Sequence, residues 1–543
     1  MWIRTVNISN FRCFDSFSIT PNKDLNIIVG ENSSGKSALF AGISKALSLG
    51  VGSDVFQSDD FRFGRMNESL TVHCDFVLDD EERFQVFEIL VGSPASAELK
   101  DYVYPKFKPH LDSLKLACET HNGVGTAHLK LGSLFVRDNS LSYDGLVSGG
   151  LTSKIIDLVQ DLIPDDRSLE QVITTKQLWQ GDRLQRRLTD LVSERFRKFA
   201  EFRARPSTAD RQRTLESFEG SNTASVLLTL KNHPDPAKRV IYEDIRSEFS
   251  VFFPYLSMEA VESHAGHADI QVIERGSEYP IKLDNVGAGV ADLITMLTNL
   301  KARKSFMLVI EEPELHLHPH AKRHLHRLII DTSVDNQVFL ITHDAHFLDS
   351  EYISGIIRMW PAVSGTMAAS ISRATRPCEL DKLRTAMKDP AKREMFFSRA
   401  LLIVEDESQR NAILGFAKTL GHDLDGNTIS VIAVDGEDGF GPYLELARRL
   451  EIPHICLRDK PWGSKKQWPP AQFRSLGCEL EDFLRQNNLD LLMQEAKREV
   501  GTAKQRVSQY VGENTPKEQI PPLFSQLISD IKKLAAIREA DQP

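Results

Sequence analysis

Residues 25–37 read Leu25-Asn26-Ile27-Ile28-Val29-Gly30-Glu31-Asn32-Ser33-Ser34-Gly35-Lys36-Ser37. A short apolar run of strand character ends in a glycine-rich turn that satisfies GxxxxGK[ST], and a helical pattern begins near Ala38. Glycines let backbone amides curl around phosphate oxygens, a lysine neutralises the β and γ oxygens, and the hydroxyl beside it offers a magnesium ligand. Asn32, Ser33, Gly35, Lys36, Ser37 and Ala38 are therefore the candidate ATP contacts, with Ser37 also a candidate for Mg²⁺. The order strand, phosphate loop, helix makes the fold class α/β.

Far downstream, an apolar strand from Ser305 to Ile310 delivers Glu311 and Glu312 at its tip. That is the Walker B arrangement: the first carboxylate for the magnesium shell, the second for polarising the attacking water as general base. Another apolar strand, Gln337 to Thr342, runs into His343, placed to sense the γ-phosphate, and a helix lies between the two strands. The rhythm is parallel β-α-β. Asn285 to Asp292 (NVGAGVAD) is a glycine-rich turn opening a helix over Leu293 to Leu300, so Gly287 and Gly289 lie where a helix N-terminus can take a phosphate.

The chain has 543 residues, 41% hydrophobic and 26% charged, which suits several folded domains and excludes a disordered or fibrous protein. Six scattered cysteines without a CxxC pair fit neither a disulfide framework nor a zinc ribbon, and point to the cytoplasm. No apolar stretch is long enough to span a bilayer and no export signal is visible. A net charge of −10 excludes a protein that coats nucleic acid over its whole surface, so any such site is local.

The alternation over residues 2–9 predicts a strand, as do the patterns from Leu70 to Leu90 and from His128 to Tyr143. Residues 152–205 carry helical spacing with a dense cationic face: Arg183, Arg186, Arg187, Arg195, Arg197, Lys198, Arg203 and Arg205. A charged stretch from Thr375 to Glu394 precedes a new apolar strand, Ala400 to Val404, where the α/β rhythm restarts with strands at Thr428 to Val434 and His454 to Leu457. Acidic residues follow two of these strands: Glu405, Asp406 and Glu407, then Asp459, with Glu479 and Glu481 further on. Carboxylates converging from strand ends are how Mg²⁺ or Mn²⁺ is held for phosphodiester hydrolysis. The run His316, His318, His320, His324, His326 invites a metal-site reading, since alternate histidines can converge on one ion.

The two phosphate motifs, the glycine-rich segment between them and the opening Asn10-Phe11-Arg12-Cys13-Phe14 together resemble the ABC-type heads of the SMC, Rad50 and OLD (overcoming lysogenisation defect) ATPases. Gln57 is a Q-loop candidate in that resemblance, which also implies that the run from His316 to His326 is a turn between heads rather than an independent zinc site. The acidic half resembles the TOPRIM domain of OLD-family nucleases: Glu405 matches its first glutamate and Asp459 its first aspartate. Three positions depart: Asp406 replaces a glycine, Gln409 a second glutamate, and Pro461 a second aspartate. One ion then suffices, or Glu407, Glu479 or Glu481 substitutes, or the nuclease is inactive. The metal set carried over is Ser37 and Glu311 for the ATPase, and Glu405, Asp459 and Glu481 for the TOPRIM site.

The resemblance implies an N-terminal ATPase lobe over 1–105, a β/helical insert over 106–204 whose basic face either contacts DNA or solvates a dimerisation helix, an ATPase C-terminal lobe over 205–375, and a TOPRIM-like parallel α/β domain with C-terminal helices over 395–543. It implies that Gly287 and Gly289 cap ATP on the opposite head, hence a dimer or higher oligomer. It implies ATP hydrolysis through Glu312 and His343, coupled to metal-dependent DNA cleavage through Glu405 and Asp459 in prokaryotic anti-phage defence. A neighbour-encoded partner protein is a family habit. The alternative of a different class is an ATP-driven sensor whose inert TOPRIM controls a separate effector.

Overall fold

The computed structural model describes residues 1–50, 56–91, 100–101, 104–121, 124–131, 181–199, 222–262, 267–302, 304–371, 376–460 and 472–540. The chain divides into two compact units, Met1–Ile27 with Ser37–Thr342, and Ile28–Lys36 with His343–Pro543.

In the first unit, β1 (Trp2–Phe11) and β2 (Phe14–Ile19) form an antiparallel hairpin. Strand β3 (Leu25–Gly30) and helix α1 (Lys36–Gly50) follow, with the boundary between the units falling inside β3. Next come β4 (Leu70–Val77), α2 (Asp80–Val91), β5 (Ser113–His121) and β6 (Val124–Leu131). An antiparallel sheet results, in the order β2-β1-β4-β5-β6.

Strand character predicted from Leu70 to Leu90 stops at Val77, because Asp79 and Glu82 cap a helix reciprocally. Glu82 N–H donates to Asp79 Oδ1 at 2.9 Å and Asp79 N–H to Glu82 Oε2 at 3.0 Å. The β segment predicted over His128 to Tyr143 is described only to Leu131, the end of β6; the rest lies outside the described residues.

Of the predicted cationic helix, α3 (Gly181–Arg195) is described, whereas Arg203 and Arg205 lie outside the described residues. The helical expectation fails at β7 (Phe196–Phe199), which pairs in parallel with the Walker B strand; ladder hydrogen bonds there outweigh a weak local helix preference. Helices α4 (Thr223–Lys231) and α5 (Pro236–Phe252) pack on a sheet of β8 (Leu256–Glu262), β9 (Ala268–Glu274) and β10 (Ile281–Lys282). Then come α6 (Ala288–Lys301), β11 (Met307–Glu311), α7 (Pro319–Ser333) and β12 (Gln337–Ile341). Strands β12, β11 and β7 are parallel, and β11 and β12 are buried at every position. Continuous apolar runs are what a parallel sheet covered on both faces requires.

In the second unit, β13 (Ile356–Trp360) and β14 (Met367–Ser370) form a hairpin, and α8 (Pro377–Ala386) follows within the charged stretch. A four-stranded parallel sheet is built from β15 (Ala400–Val404), α9 (Glu407–Thr419), β16 (Ile429–Ala433), α10 (Phe440–Arg449), β17 (His454–Arg458) and β18 (Phe473–Ser475). Its order is β16-β15-β17-β18, so the chain switches sides of β15 between β16 and β17. Ligand sites of open parallel sheets form at the carboxyl ends of strands flanking such a switch. Helices α11 (Leu480–Gln486), α12 (Asp490–Glu499), α13 (Lys504–Asn514) and α14 (Pro522–Ala540) complete the unit. Helices α9 and α13 approach so closely that a Cβ on Gly415 would lie 2.6 Å from the Gly512 carbonyl carbon. Among the described residues no helix is long and apolar enough to cross a membrane.

Candidate functional site

The phosphate loop leaves β3 through left-handed backbone at Gly30 (φ 141°), Ser33 (φ 63°) and Gly35 (φ 91°). Only glycine serves at the first position, since a Cβ on Gly30 would lie 2.0 Å from the Met359 carbonyl oxygen. Lys36 is buried, its Nζ donating to the carbonyl oxygens of Gly30 (3.0 Å) and Glu31 (2.6 Å). The ammonium is held over its own loop, where phosphate oxygens can replace those carbonyls. Asn32, Ser33 and Ser37 are exposed at the loop, Ala38 half-buried. In the same unit, burial and then the charge of Lys36 depress the His343 imidazole to about 4. It is neutral at pH 7 and presents one donor and one acceptor nitrogen.

In the first unit, β11 ends in buried Glu311, and Lys198 of β7 brings its Nζ to 3.1 Å from Glu311 Oε1. Glu312 adopts a left-handed conformation (φ 44°) with its N–H bonded to Ile341 O at 2.8 Å. Positive φ in a non-glycine residue is held only where its surroundings over-determine it. The third acid of the run, Glu314, accepts from Thr342 Oγ1 at 2.7 Å and ties the loop after β11 to the end of β12. Sequence reading assigned Glu314 nothing, because a buried carboxylate clamp has no signature of its own.

Gly287 caps α6 with open space where a side chain would be, whereas a Cβ on Gly289 would lie 2.6 Å from His316 O. The histidine run forms the turn and start of α7: His318 accepts from His320 N–H as its N-cap, His316 faces Asp292 at 3.4 Å, and His324 meets Glu248 at 2.6 Å. Gln57 heads a short turn in which its N–H donates to Asp60 Oδ2 at 3.1 Å.

Glu405 follows β15 and Asp459 follows β17, the two strands on either side of the switch. Asp459 N–H donates to Glu405 Oε2 at 3.0 Å. Gln409 lies between them: its Oε1 accepts from Glu405 N–H (3.0 Å) and its Nε2 donates to Asp459 Oδ1 (2.7 Å). Asp406 is the N-cap of α9, accepting from Gln409 N–H at 2.8 Å. Burial, followed by the charges of Glu405, Asp406 and Glu479, pushes the Asp459 carboxyl up to about 6, against the hydrogen bond from Gln409.

Glu481 does not join this pair; it faces Lys504 Nζ at 3.7 Å. Pro461 lies outside the described residues. Among the described residues no group of three or more His, Cys, Asp or Glu side chains is arranged to hold a metal ion. Two carboxylates with water suffice for one Mg²⁺ but not for a bridged pair of ions. The residues present thus fit a single cation.

Models of an AAA domain and an AAA ATPase domain match residues 5–219 and 142–348, and that of the overcoming lysogenization defect protein-like TOPRIM domain matches 396–460. The chain thus joins matches to AAA ATPase domain models with a match to an OLD-like TOPRIM domain model. It is 26% identical over 222 residues to the OLD nuclease of Thermus scotoductus, covering 38% of this chain and 42% of that protein. To the Old nuclease of Escherichia phage P2 it is 22% identical over 482 residues, covering 84% and 77%. Among solved structures, the SMC head domain from Thermotoga maritima aligns with 68% of this chain and 100% of its own at 13% identity and a TM-score of 0.34. The chain is thus similar to OLD nucleases in both of its matched regions. It spans 29% and 42% of the length of two curated relatives that it matches and 77% of a third.

Proposed function

We propose that this OLD-family ATPase binds ATP with Mg²⁺ at a dimer of heads and uses its turnover to control single-metal cleavage of DNA in the TOPRIM domain, as part of prokaryotic anti-phage defence. The juxtaposition of Glu405 and Asp459 at neighbouring strand ends carries the nuclease part. A cation bound there would supply Lewis acidity toward a phosphodiester. Glu405 and Asp459 would hold it, while Gln409 orients both. On the ATPase side, Lys36 and Ser37 would receive the phosphates and magnesium, Glu311 would help to hold that ion, Glu312 would orient the attacking water, and neutral His343 would donate toward the γ-phosphate. Gly287 and Gly289 contact the nucleotide of the opposite head.

One observation favours a second reading. The amide of Gln409 stands where a carboxylate would otherwise attract a second ion, and it already occupies Asp459. An inert TOPRIM scaffold that lets the ATPase control a separate, neighbour-encoded effector is consistent with that.

The deciding experiment incubates plasmid and linear DNA with the purified chain and Mg²⁺ or Mn²⁺, with and without ATP, beside Glu405→Ala and Asp459→Ala. Cutting by the wild type that both variants lose, with ATP turnover intact, supports the nuclease. No cutting under any condition selects the scaffold.

A further inference from the structure

The cationic run of the insert ends at a place that neither its charge nor its sequence explains. Phe196–Phe199 lies parallel beside the Walker B strand with Lys198 opposite Val309. Side chains two apart on a strand share a face, so Lys198 is on the side of the sheet to which Glu311 points. Its aliphatic stem covers the distance to the strand tip, and its Nζ reaches 3.1 Å from Glu311 Oε1. The pair is sheltered, with the glutamate side chain 7% and the lysine 25% exposed. Surface lysines of a cationic helix face stay in water; this one is drawn onto the carboxylate that the motif reserves for magnesium.

We infer that Lys198 is a positioning residue of the ATPase: a built-in counter-cation that neutralises Glu311 while the metal is away and that Mg²⁺ must displace. The inference rests on the Walker B reading of Glu311. An ammonium held against a buried carboxylate competes directly with a divalent cation for the same oxygens. The metal therefore binds more weakly than the carboxylate alone would allow. A metal requirement set in this way makes occupancy depend on ATP, whose phosphates bring ligands of their own and tip the competition toward magnesium.

The test titrates Mn²⁺, followed by its electron paramagnetic resonance signal, into the full chain with a non-hydrolysable ATP analogue, every protein compared carrying Asp459→Ala so that the acidic site of the TOPRIM domain does not contribute. Wild type, Lys198→Met, Lys198→Gln and Lys198→Arg are compared, with Glu311→Gln and the double variant Lys198→Met/Glu311→Gln as controls. The two neutral variants should bind Mn²⁺ about three- to tenfold more tightly than wild type, the arginine variant should not, and the gain should vanish in the Glu311→Gln background. The Mg²⁺ concentration for half-maximal ATP hydrolysis should fall by the same factor. Unchanged or weaker Mn²⁺ affinity in both neutral variants, folded by circular dichroism, overturns the inference. So does a gain that persists without Glu311. Wild type that binds no Mn²⁺ with the analogue sinks the Walker B reading instead, which keeps the two failures apart.

Discussion

Arg399 donates from Nε to Glu31 Oε2 across 2.6 Å, with the glutamate side chain 10% and the arginine 25% exposed. Glu31 is the second residue of the phosphate loop, and its carbonyl oxygen also accepts from Lys36. Arg399 is the residue before β15, the strand that Glu405 follows, and its N–H is bonded to Thr428 O at 2.8 Å. Nearby, fully buried Arg358 donates to Ser398 O at 2.7 Å. The loop expected to take ATP and the root of the strand leading to Glu405 are thus joined by one sheltered ion pair within one unit.

That pair holds the phosphate loop in shape, so Arg399→Ala should weaken binding of a fluorescent ATP analogue about three- to tenfold. Glu31→Gln should do less, since the amide keeps a hydrogen bond. The double variant should be no worse than the worse single one, as partners in contact are not additive. Full additivity in the titration would deny the coupling.

Lys36→Ala should abolish ATP binding, since no other side chain of the motif brings a positive charge to the phosphates. Glu312→Gln should bind ATP normally yet slow turnover by a hundredfold or more, on the order expected for a lost general base. Filter binding and phosphate release separate the two; unchanged turnover in Glu312→Gln would remove that residue from the chemistry.

Gln409→Glu restores a third carboxylate where an amide now donates to Asp459. Metal affinity of the acidic site should rise about tenfold or more by calorimetric Mn²⁺ titration in a Lys36→Ala background. The metal-free variant should melt lower, because like charges then crowd at neighbouring strand ends.

The raised carboxyl of Asp459 gives a pH dependence whose sign follows from linkage. Its protonated form is favoured by the fold, so its stabilising share is full below the unfolded value of about 4 and is lost as pH rises through about 6. Asp459→Asn, which mimics the protonated state, should gain stability relative to wild type over that window. Parallel melting curves from pH 4 to 7 would contradict it. Metal binding to wild type below pH 6 should release a proton.

Two neighbouring glycines should respond oppositely. Gly289→Ala drives a Cβ against His316 O at 2.6 Å and should cost about 1–3 kcal/mol, whereas Gly287→Ala enters open space and should cost under about 1 kcal/mol. Calorimetric melting checks both. Loss of ATP turnover in Gly287→Ala without loss of stability would then report on a nucleotide contact.

Much was legible in the residues alone. Motifs whose chemistry is local, such as the glycine-rich loop with Lys36 and the apolar strands ending in Glu311 and Glu405, announce themselves because backbone conformation and burial act over a few residues. The reading of Leu70 to Leu90 as strands failed beyond Val77 because a capping box outweighs a short alternating pattern. The helix expected through Phe196–Phe199 gave way to a strand because its pairing partner lies more than a hundred residues downstream.

What the sequence determined by itself was an α/β ATPase with a phosphate loop, a Walker B strand, and an acidic α/β domain lacking part of its carboxylate set. What only the tertiary structure decided was which charges meet: Lys198 on Glu311, Arg399 on Glu31, Gln409 between Glu405 and Asp459, and Glu481 with Lys504 instead. The physical reason is range. Propensity and motif act along the chain, whereas an ion pair forms wherever the fold brings two charges within a few ångströms out of water, and no spacing in the sequence records that distance.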